Sequence, residues 1–140
     1  MLVAMELRMT EPSLVILPEL AGVLAELSAR ELILHQPEFG ASRADLERVT
    51  VDDFWETGAS GRRYSRSFVL EELERRTAAP RPAAWPATDF YCRRLGPDTY
   101  LPTYTLLQDK QRLTRRATIW QSTAEGWKAV YHQGTIVQDA

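Results

Sequence analysis

The chain of 140 residues has few of the side chains from which metal and cofactor sites are commonly built. Its single cysteine, Cys92, can form no internal disulfide and cannot supply a zinc site made of several thiolates. His35 and His132 are its only histidines, which excludes a site with many histidine ligands. We therefore expect no bound metal and no cofactor.

Long apolar runs are also missing. Glu6, Arg8 and Glu11 interrupt the N-terminal segment, which lacks both the basic start and the apolar stretch of a signal peptide. The same segment is too polar to span a membrane, so we expect no membrane contact. The lack of any possible internal disulfide fits a reducing compartment, and we expect a cytoplasmic location. We expect residues 1–17 to be a loosely ordered segment in front of one domain at residues 18–137.

Positive charge is scarce in the first part of the chain. Residues 1–60 hold 11 acids and 4 bases, whereas residues 61–140 hold 8 acids and 13 bases. A basic half could indicate nucleic-acid binding, but these basic residues are scattered and lack the interleaved aromatic motifs of a nucleic-acid interface. We interpret the asymmetry as an acidic helical layer beside a basic sheet, and we expect no nucleic-acid partner.

Helical periodicity dominates the part of the sequence that follows the N-terminal segment. Pro18 and Glu19 suit the first turn of a helix, and apolar residues then recur every three or four positions until a stop near Pro37. We place Glu31 away from most of this apolar stripe. Ser42 with Asp45 predicts a second, capped helix in "SRADLERV".

A hairpin and a third helix come next. The stretch "VDDFWETG" predicts a strand in which Phe54 and Glu56 share one face and Trp55 lies on the other. The chain returns through a turn at "ASGRRYS", and Ser65 is placed to cap the third helix.

After a loop with three prolines, "TAAPRPAAWP", the sequence predicts only strands. Four are expected, at residues 88–95, 100–108, 113–123 and 127–137, joined by short polar turns. Three helices followed by an antiparallel meander predict an α+β domain and disfavour a parallel βαβ sheet.

Three stretches in this order carry a family resemblance: "ELILHQPEF" at residues 31–39, "LERVTVDDFWETGASGRRYSR" at 46–66 and "RATIWQSTAEGWKAVYHQGT" at 116–135. They resemble motifs of the SnoaL-like family catalogued as domain of unknown function 4440, in the nuclear transport factor 2-like superfamily. The resemblance covers residues 19–135. It implies a cystatin-like roll, in which three N-terminal helices wrap a curved, mostly antiparallel sheet into a cone with a pocket at its wide end. Relatives include isomerases, cyclases, dehydratases and non-catalytic binding modules, so the fold leaves the function open.

Glu56 is the leading candidate for a functional residue, because the family pattern keeps an acid at this position. Inside the cone it would have a raised pKa and could carry a proton, or it could be a structural carboxylate paired with an arginine. Arg116 is that partner by family position. Ketosteroid isomerase places its base just after a comparable acid; here that residue is Thr57, so the isomerase chemistry is not carried over.

His132 is the second candidate for moving a proton, with a purely structural histidine as the alternative. The residue that lies opposite Thr118 depends on the length of the turn between the last two strands, and the sequence allows two lengths. A two-residue turn with Glu125 and Gly126 at its tip would place Thr118 opposite Gln133, whereas a three-residue turn would place Thr118 with His132. The expected pocket residues are Phe54, Glu56, Arg116, Thr118, Trp120 and His132.

Three functions fit these residues. The first is binding of a small, partly apolar molecule in the cone without chemistry. The second is a cofactor-free isomerase, cyclase or dehydratase that uses Glu56 or His132 as proton carrier. The third is a non-catalytic dimerisation or protein-interaction module with a filled cone. A wet cavity containing Glu56 would favour the second function and a dry apolar one the first.

We also expect a homodimer formed through the sheet. The long strands carry apolar residues on both faces, for instance Leu106 beside Leu107 and Ile119 beside Trp120. Helices that cover one face only would leave the other set exposed unless a partner covers it.

Overall fold

The computed structural model describes residues 10–35, 42–78 and 85–138. A 3-10 helix at Pro18–Leu20 leads into helix α1 (Ala21–His35), and helices α2 (Arg43–Arg48) and α3 (Arg66–Ala78) stand before and after a hairpin of strands β1 (Thr50–Thr57) and β2 (Arg63–Ser65). Strands β3 (Ala87–Gly96), β4 (Thr99–Gln108), β5 (Arg112–Thr123) and β6 (Gly126–Ile136) follow. This order confirms the α+β prediction.

The six strands form one sheet in the order β2-β1-β6-β5-β4-β3. Strands β3 to β6 make the predicted antiparallel meander. Strand β1 joins the sheet by parallel pairing with β6, which places Glu56 beside His132. The sheet is therefore mixed but mostly antiparallel.

Two predicted helix caps are confirmed. The Ser42 hydroxyl accepts a hydrogen bond from the Asp45 backbone N–H, and the Asp45 carboxylate accepts one from the Ser42 N–H. This reciprocal pair satisfies two N–H groups that the short α2 would otherwise leave without a partner. At the start of α3 the Ser65 hydroxyl accepts a hydrogen bond of 3.2 Å from the Phe68 N–H.

The core lies between the helices and one face of the sheet, here called the inner face. Leu27, Leu46 and Leu70 from the three helices are fully buried there against Phe54 and Trp120 of the sheet. The opposite, outer face carries Trp55, which is 43% exposed. The predicted alternation along β1 is thus confirmed.

The turn between β5 and β6 has two residues, which is one of the two lengths considered in the sequence analysis, but it lies one residue earlier than expected. It consists of Ala124 and Glu125, and Gly126 then begins β6 with a φ of 107°, a conformation that favours glycine. A bulge farther along the ladder shifts the register by one residue. Thr118 therefore pairs with His132 after all, through a two-residue turn plus a bulge.

Two predicted segments fall largely outside the described residues: the loosely ordered segment at residues 1–17 and the proline-rich loop. In the part of the first segment that the structure describes, Ile16 packs against the core and the Glu11 carboxylate pairs with Arg115 at 3.3 Å. Among the helices of the described ranges, none combines the length and apolar character needed to cross a membrane.

Candidate functional site

A cavity of about 290 Å³, here called the inner cavity, opens beside α3 between the β1–β2 turn and the β4–β5 turn. One wall is mostly apolar and includes Tyr64, Phe68 and Leu73. The remaining lining is strongly polar and includes His35, Glu56, Arg76, Gln108, Arg112 and Arg116. The cavity therefore places titratable and cationic groups opposite aromatic and aliphatic side chains.

Glu56 lies on the inner face of β1 and lines this cavity. Burial raises the pKa of its carboxyl group, and the positive charges of Arg116 and Arg76 oppose that shift. No hydrogen bond or ion pair from a residue in the described ranges engages the carboxylate. Its oxygens are consequently available to a molecule in the cavity.

Arg116 lies on β5 and is only 8% exposed. Its Nε donates a hydrogen bond of 3.0 Å to Thr114 Oγ1, and one terminal nitrogen donates a bond of 3.2 Å to Gln108 Oε1. Neutral acceptors thus hold the guanidinium group. The proposed ion pair between Glu56 and Arg116 is not formed, although both side chains line the same cavity.

Behind the cavity lies a buried polar group, here called the Glu31 cluster, which consists of Glu31, His35, Tyr104, Thr118, Trp120 and His132. Placing Glu31 away from the apolar stripe is wrong, because its side chain is fully buried. Its Oε1 accepts a hydrogen bond of 2.8 Å from Trp120 Nε1, and its Oε2 accepts one of 2.7 Å from the Tyr104 hydroxyl. Burial raises the pKa of Glu31, and these bonds with one from Thr118 oppose the shift.

His132 is 1% exposed and belongs to this cluster. Its Nδ1 lies 2.7 Å from Thr118 Oγ1 and 3.9 Å from Glu31 Oε2. Its Nε2 is fully buried and has no hydrogen-bond partner within the described ranges. Burial, together with the charge of Arg116, lowers the pKa of His132 to about 3. The ring is therefore neutral near pH 7, and it does not line the inner cavity.

His35 connects the cluster with the cavity. Its Nε2 lies 2.6 Å from the Tyr104 hydroxyl. Because that hydroxyl donates its proton to Glu31, the hydrogen bond requires His35 to donate from Nε2, which leaves Nδ1 with a free lone pair. Burial, with the nearby His132, Arg116 and Arg76, lowers the pKa of His35 well below its usual 6.5.

The structure divides the six residues expected at the pocket into three groups. Glu56 and Arg116 line the inner cavity. Thr118, Trp120 and His132 lie in the Glu31 cluster, where the Trp120 N–H donates its hydrogen bond to Glu31 and not to Glu56. Phe54 is 2% exposed and packs in the core.

The sequence analysis does not identify Glu31, His35 or Tyr104 as site residues. A signal for the first two exists, since Leu24, Leu27, Glu31 and His35 recur at helical spacing on one stripe. In residues 10–35, 42–78 and 85–138 no three His, Cys, Asp or Glu side chains are arranged to hold a metal ion.

A wider groove of about 770 Å³ lies mainly on the outer face. Ile119, Tyr131 and Gln133 line it, and Arg115 there pairs with Glu11 and, at 3.6 Å, with Asp89. At this groove Arg115 is paired with carboxylates, whereas Arg116, which lines both the groove and the inner cavity, has no carboxylate partner in the described chain.

Comparisons with known proteins identify the fold. No protein-family model matches the chain, and no curated protein matches it significantly. A suggested dehydratase of the NTF2-like family from Streptomyces avermitilis superposes with a TM-score of 0.66 at 17% identity, over 88% of this chain and 100% of that chain. An NTF2-like protein from Cytophaga hutchinsonii gives 0.63 at 16% identity, over 87% and 100%. A cystatin-like fold protein from Burkholderia xenovorans gives 0.62 at 15% identity, over 86% and 95%.

These similarities confirm the predicted nuclear transport factor 2-like, cystatin-like fold. At identities below one fifth they concern the fold alone. The function must therefore be argued from the inner cavity and the groups around it.

Proposed function

We propose that this SnoaL-like protein binds a small, partly apolar molecule in the inner cavity. The observation that supports this function is the cavity itself, whose volume of about 290 Å³ lies near the lower end of ligand pockets, roughly 300–1,000 Å³. Tyr64, Phe68 and Leu73 offer apolar contact area on one side. Glu56 and Arg116 on the other side provide the few convergent polar groups that fix the orientation of a ligand.

The test is a fragment titration followed by NMR. The full chain, labelled with ¹⁵N, is titrated with small neutral aromatic and aliphatic fragments, and the shift changes are mapped onto the fold. We expect them to concentrate around Tyr64 and Phe68. Ser60→Trp, which places a bulky ring at the cavity mouth, should reduce them, whereas Glu125→Trp in the exposed β5–β6 turn is the matched control. Shift changes confined to the outer groove would contradict this function.

A second function, cofactor-free proton transfer, is favoured by the state of Glu56. A carboxyl group whose pKa is raised by burial, and which has no hydrogen-bond or ion-pair partner in the described ranges, is suited to exchange a proton with a bound molecule. His132 is a poor carrier, because its ring is buried and its pKa is about 3. We therefore assign proton transfer to Glu56.

Deuterium exchange tests this second function separately. Each bound fragment that has a carbon-bound proton next to a carbonyl group is incubated with the protein in D₂O, and replacement of that proton by deuterium is followed by NMR. We expect exchange with the wild type and none with Glu56→Gln, while Glu72→Gln, which changes the other acid of the cavity lining, leaves the rate unchanged. Exchange that survives Glu56→Gln, or no exchange with any bound fragment, would exclude this reaction.

A further inference from the structure

We propose that the inner cavity recognises a small organic acid, whose carboxylate group binds between Arg112 and Arg116. This inference rests on the proposed binding function and specifies the chemical class of the ligand. It follows from the unequal charges around the cavity, from the way Arg116 is held, and from the apolar wall opposite the two arginines.

Positive charge at the cavity is only partly neutralised by the protein. Of the two lining acids, Glu72 pairs on α3 with Arg75 and, at 3.7 Å, with Arg76. Glu56 makes no ion pair within the described ranges. Arg112 and Arg116 likewise have no carboxylate partner in the described part of the chain. Two guanidinium groups therefore line the cavity without a direct ion pair in the described part of the chain.

Arg116 is preorganised to hold an anion. Its hydrogen bonds to Thr114 and Gln108 fix the plane of the guanidinium group, but both acceptors are neutral and no carboxylate of the described chain bonds it directly. Burying a cation that is bonded only to neutral groups is costly, and burial lowers the pKa of Arg116, a shift that the nearby Tyr104, Glu56 and Glu31 oppose only in part. A carboxylate matches the planar fork of N–H donors and would compensate the charge.

Arg112 completes the anion site. It lies four residues before Arg116 on β5, so both side chains project from the same face of the strand. Its charge is close enough to lower the pKa of Arg116 further, which means that the two guanidinium groups repel each other. An oxyanion between the two guanidinium groups would add two attractions that offset this repulsion.

The opposite wall defines the rest of the ligand. The rings of Tyr64 and Phe68 are stacked with centroids 4.9 Å apart, and Phe68 is 49% exposed at the cavity. An aromatic or short aliphatic body can pack against these rings and Leu73, and the volume of about 290 Å³ limits it to a small molecule. Glu56 disfavours a second carboxylate, so the ligand is a monoacid.

Isothermal titration calorimetry of the full chain tests the proposal with three probes: benzoate, its uncharged isostere benzamide, and acetate, which lacks an apolar body. We expect benzoate to bind at least about tenfold more tightly than either of the others, as the loss of a charge-assisted hydrogen bond implies. Arg112→Gln should weaken benzoate binding about tenfold. Arg115→Gln, the neighbouring position on the outer face, is the matched control and should leave the affinity unchanged.

The outcomes separate this inference from the binding function on which it rests. Equal affinity for benzoate and benzamide, or benzoate binding that is unchanged in Arg112→Gln, would overturn recognition of the acid. The absence of benzoate binding would also overturn it, and the neutral-fragment titration then decides whether the cavity binds small molecules at all. Circular dichroism of Arg112→Gln confirms that the exposed substitution leaves the fold intact.

Discussion

Gly134 on β6 lies directly against the guanidinium group of Arg116. A Cβ atom on residue 134 would stand 2.5 Å from a terminal nitrogen of Arg116 and 2.8 Å from its guanidinium carbon. Both distances are far below van der Waals contact, so glycine is required here as long as Arg116 keeps its conformation. The "HQGT" sequence thus contributes His132 to the Glu31 cluster and, two residues later, Gly134, against which the Arg116 side chain packs.

Gly134→Ala is therefore expected to displace Arg116 and to lower the free energy of unfolding by about 1–3 kcal/mol. Urea denaturation measures this loss. Gly96→Ala is the control, because a Cβ there would meet nothing within 4 Å, and its effect should stay within about 0.5 kcal/mol. In an Arg116→Ala background the loss caused by Gly134→Ala should largely disappear. A loss that persists there would show that the backbone of β6 is the cause.

The buried carboxylate of Glu31 provides a second prediction. Glu31→Ala leaves the Trp120 N–H and the Tyr104 hydroxyl without their acceptor, and each unsatisfied group costs about 1–3 kcal/mol. We expect a total loss of about 2–6 kcal/mol in urea denaturation. Glu74→Ala on the exposed side of α3 should change stability by less than about 0.5 kcal/mol. Similar results for the two variants would contradict the structural role of the Glu31 cluster.

Most of the fold can be predicted from the sequence, because its periods and turns agree with the tertiary structure. The predicted strand at residues 113–123 corresponds to β5 at Arg112–Thr123, and both serine caps are present. The parallel pairing of β1 with β6, in contrast, could not be predicted from the sequence. It joins segments far apart in the sequence, and no local signal specifies that Glu56 lies beside His132.

The site is less predictable, because it depends on exceptions to local rules. Glu31 occupies an apolar stripe of α1, and a carboxylate there is accepted only because Tyr104 and Trp120 from distant strands donate to it. The face on which His132 lies depends on a bulge in β6 that no glycine or proline marks. Glu56 and Arg116 were expected in the same pocket, but their exact separation is set by packing and not by sequence pattern.

The outer face provides a third prediction, a homodimer formed through the sheet, which we propose on the exposure of its side chains. Trp55 is 43% exposed, and Ile119 and Tyr131 beside it are half-buried. A second copy would cover this apolar area. Light scattering should give about twice the 16.0 kDa mass of the chain. Ile119→Arg should return the mass to that of a monomer, whereas Phe68→Ser on the helical side should not. A monomer at all concentrations would contradict the dimer.

The two histidines provide the last prediction, because burial lowers the pKa of both. A folded pKa below the unfolded value of 6.5 favours the neutral ring, so the stabilisation is present above pH 6.5 and is lost as the pH falls through the folded pKa. For His132, with a pKa of about 3, the loss should be about 2 kcal/mol between pH 6.5 and pH 5. Glu31 and Glu56 act in the opposite direction, since their raised pKa values favour protonation of the folded state as the pH falls.

Proton NMR measures this directly, because the chain has only two imidazole rings. We expect neither ring to show a titration midpoint near 6.5 between pH 8 and pH 5. In parallel, the urea midpoint should fall with pH over the lower part of this range, and it should fall less steeply in His132→Asn, which cannot take up the proton. If either ring showed an ordinary midpoint in the folded protein, its nitrogen atoms would be in contact with solvent. Burial within the Glu31 cluster could then not be the reason that the ring is neutral.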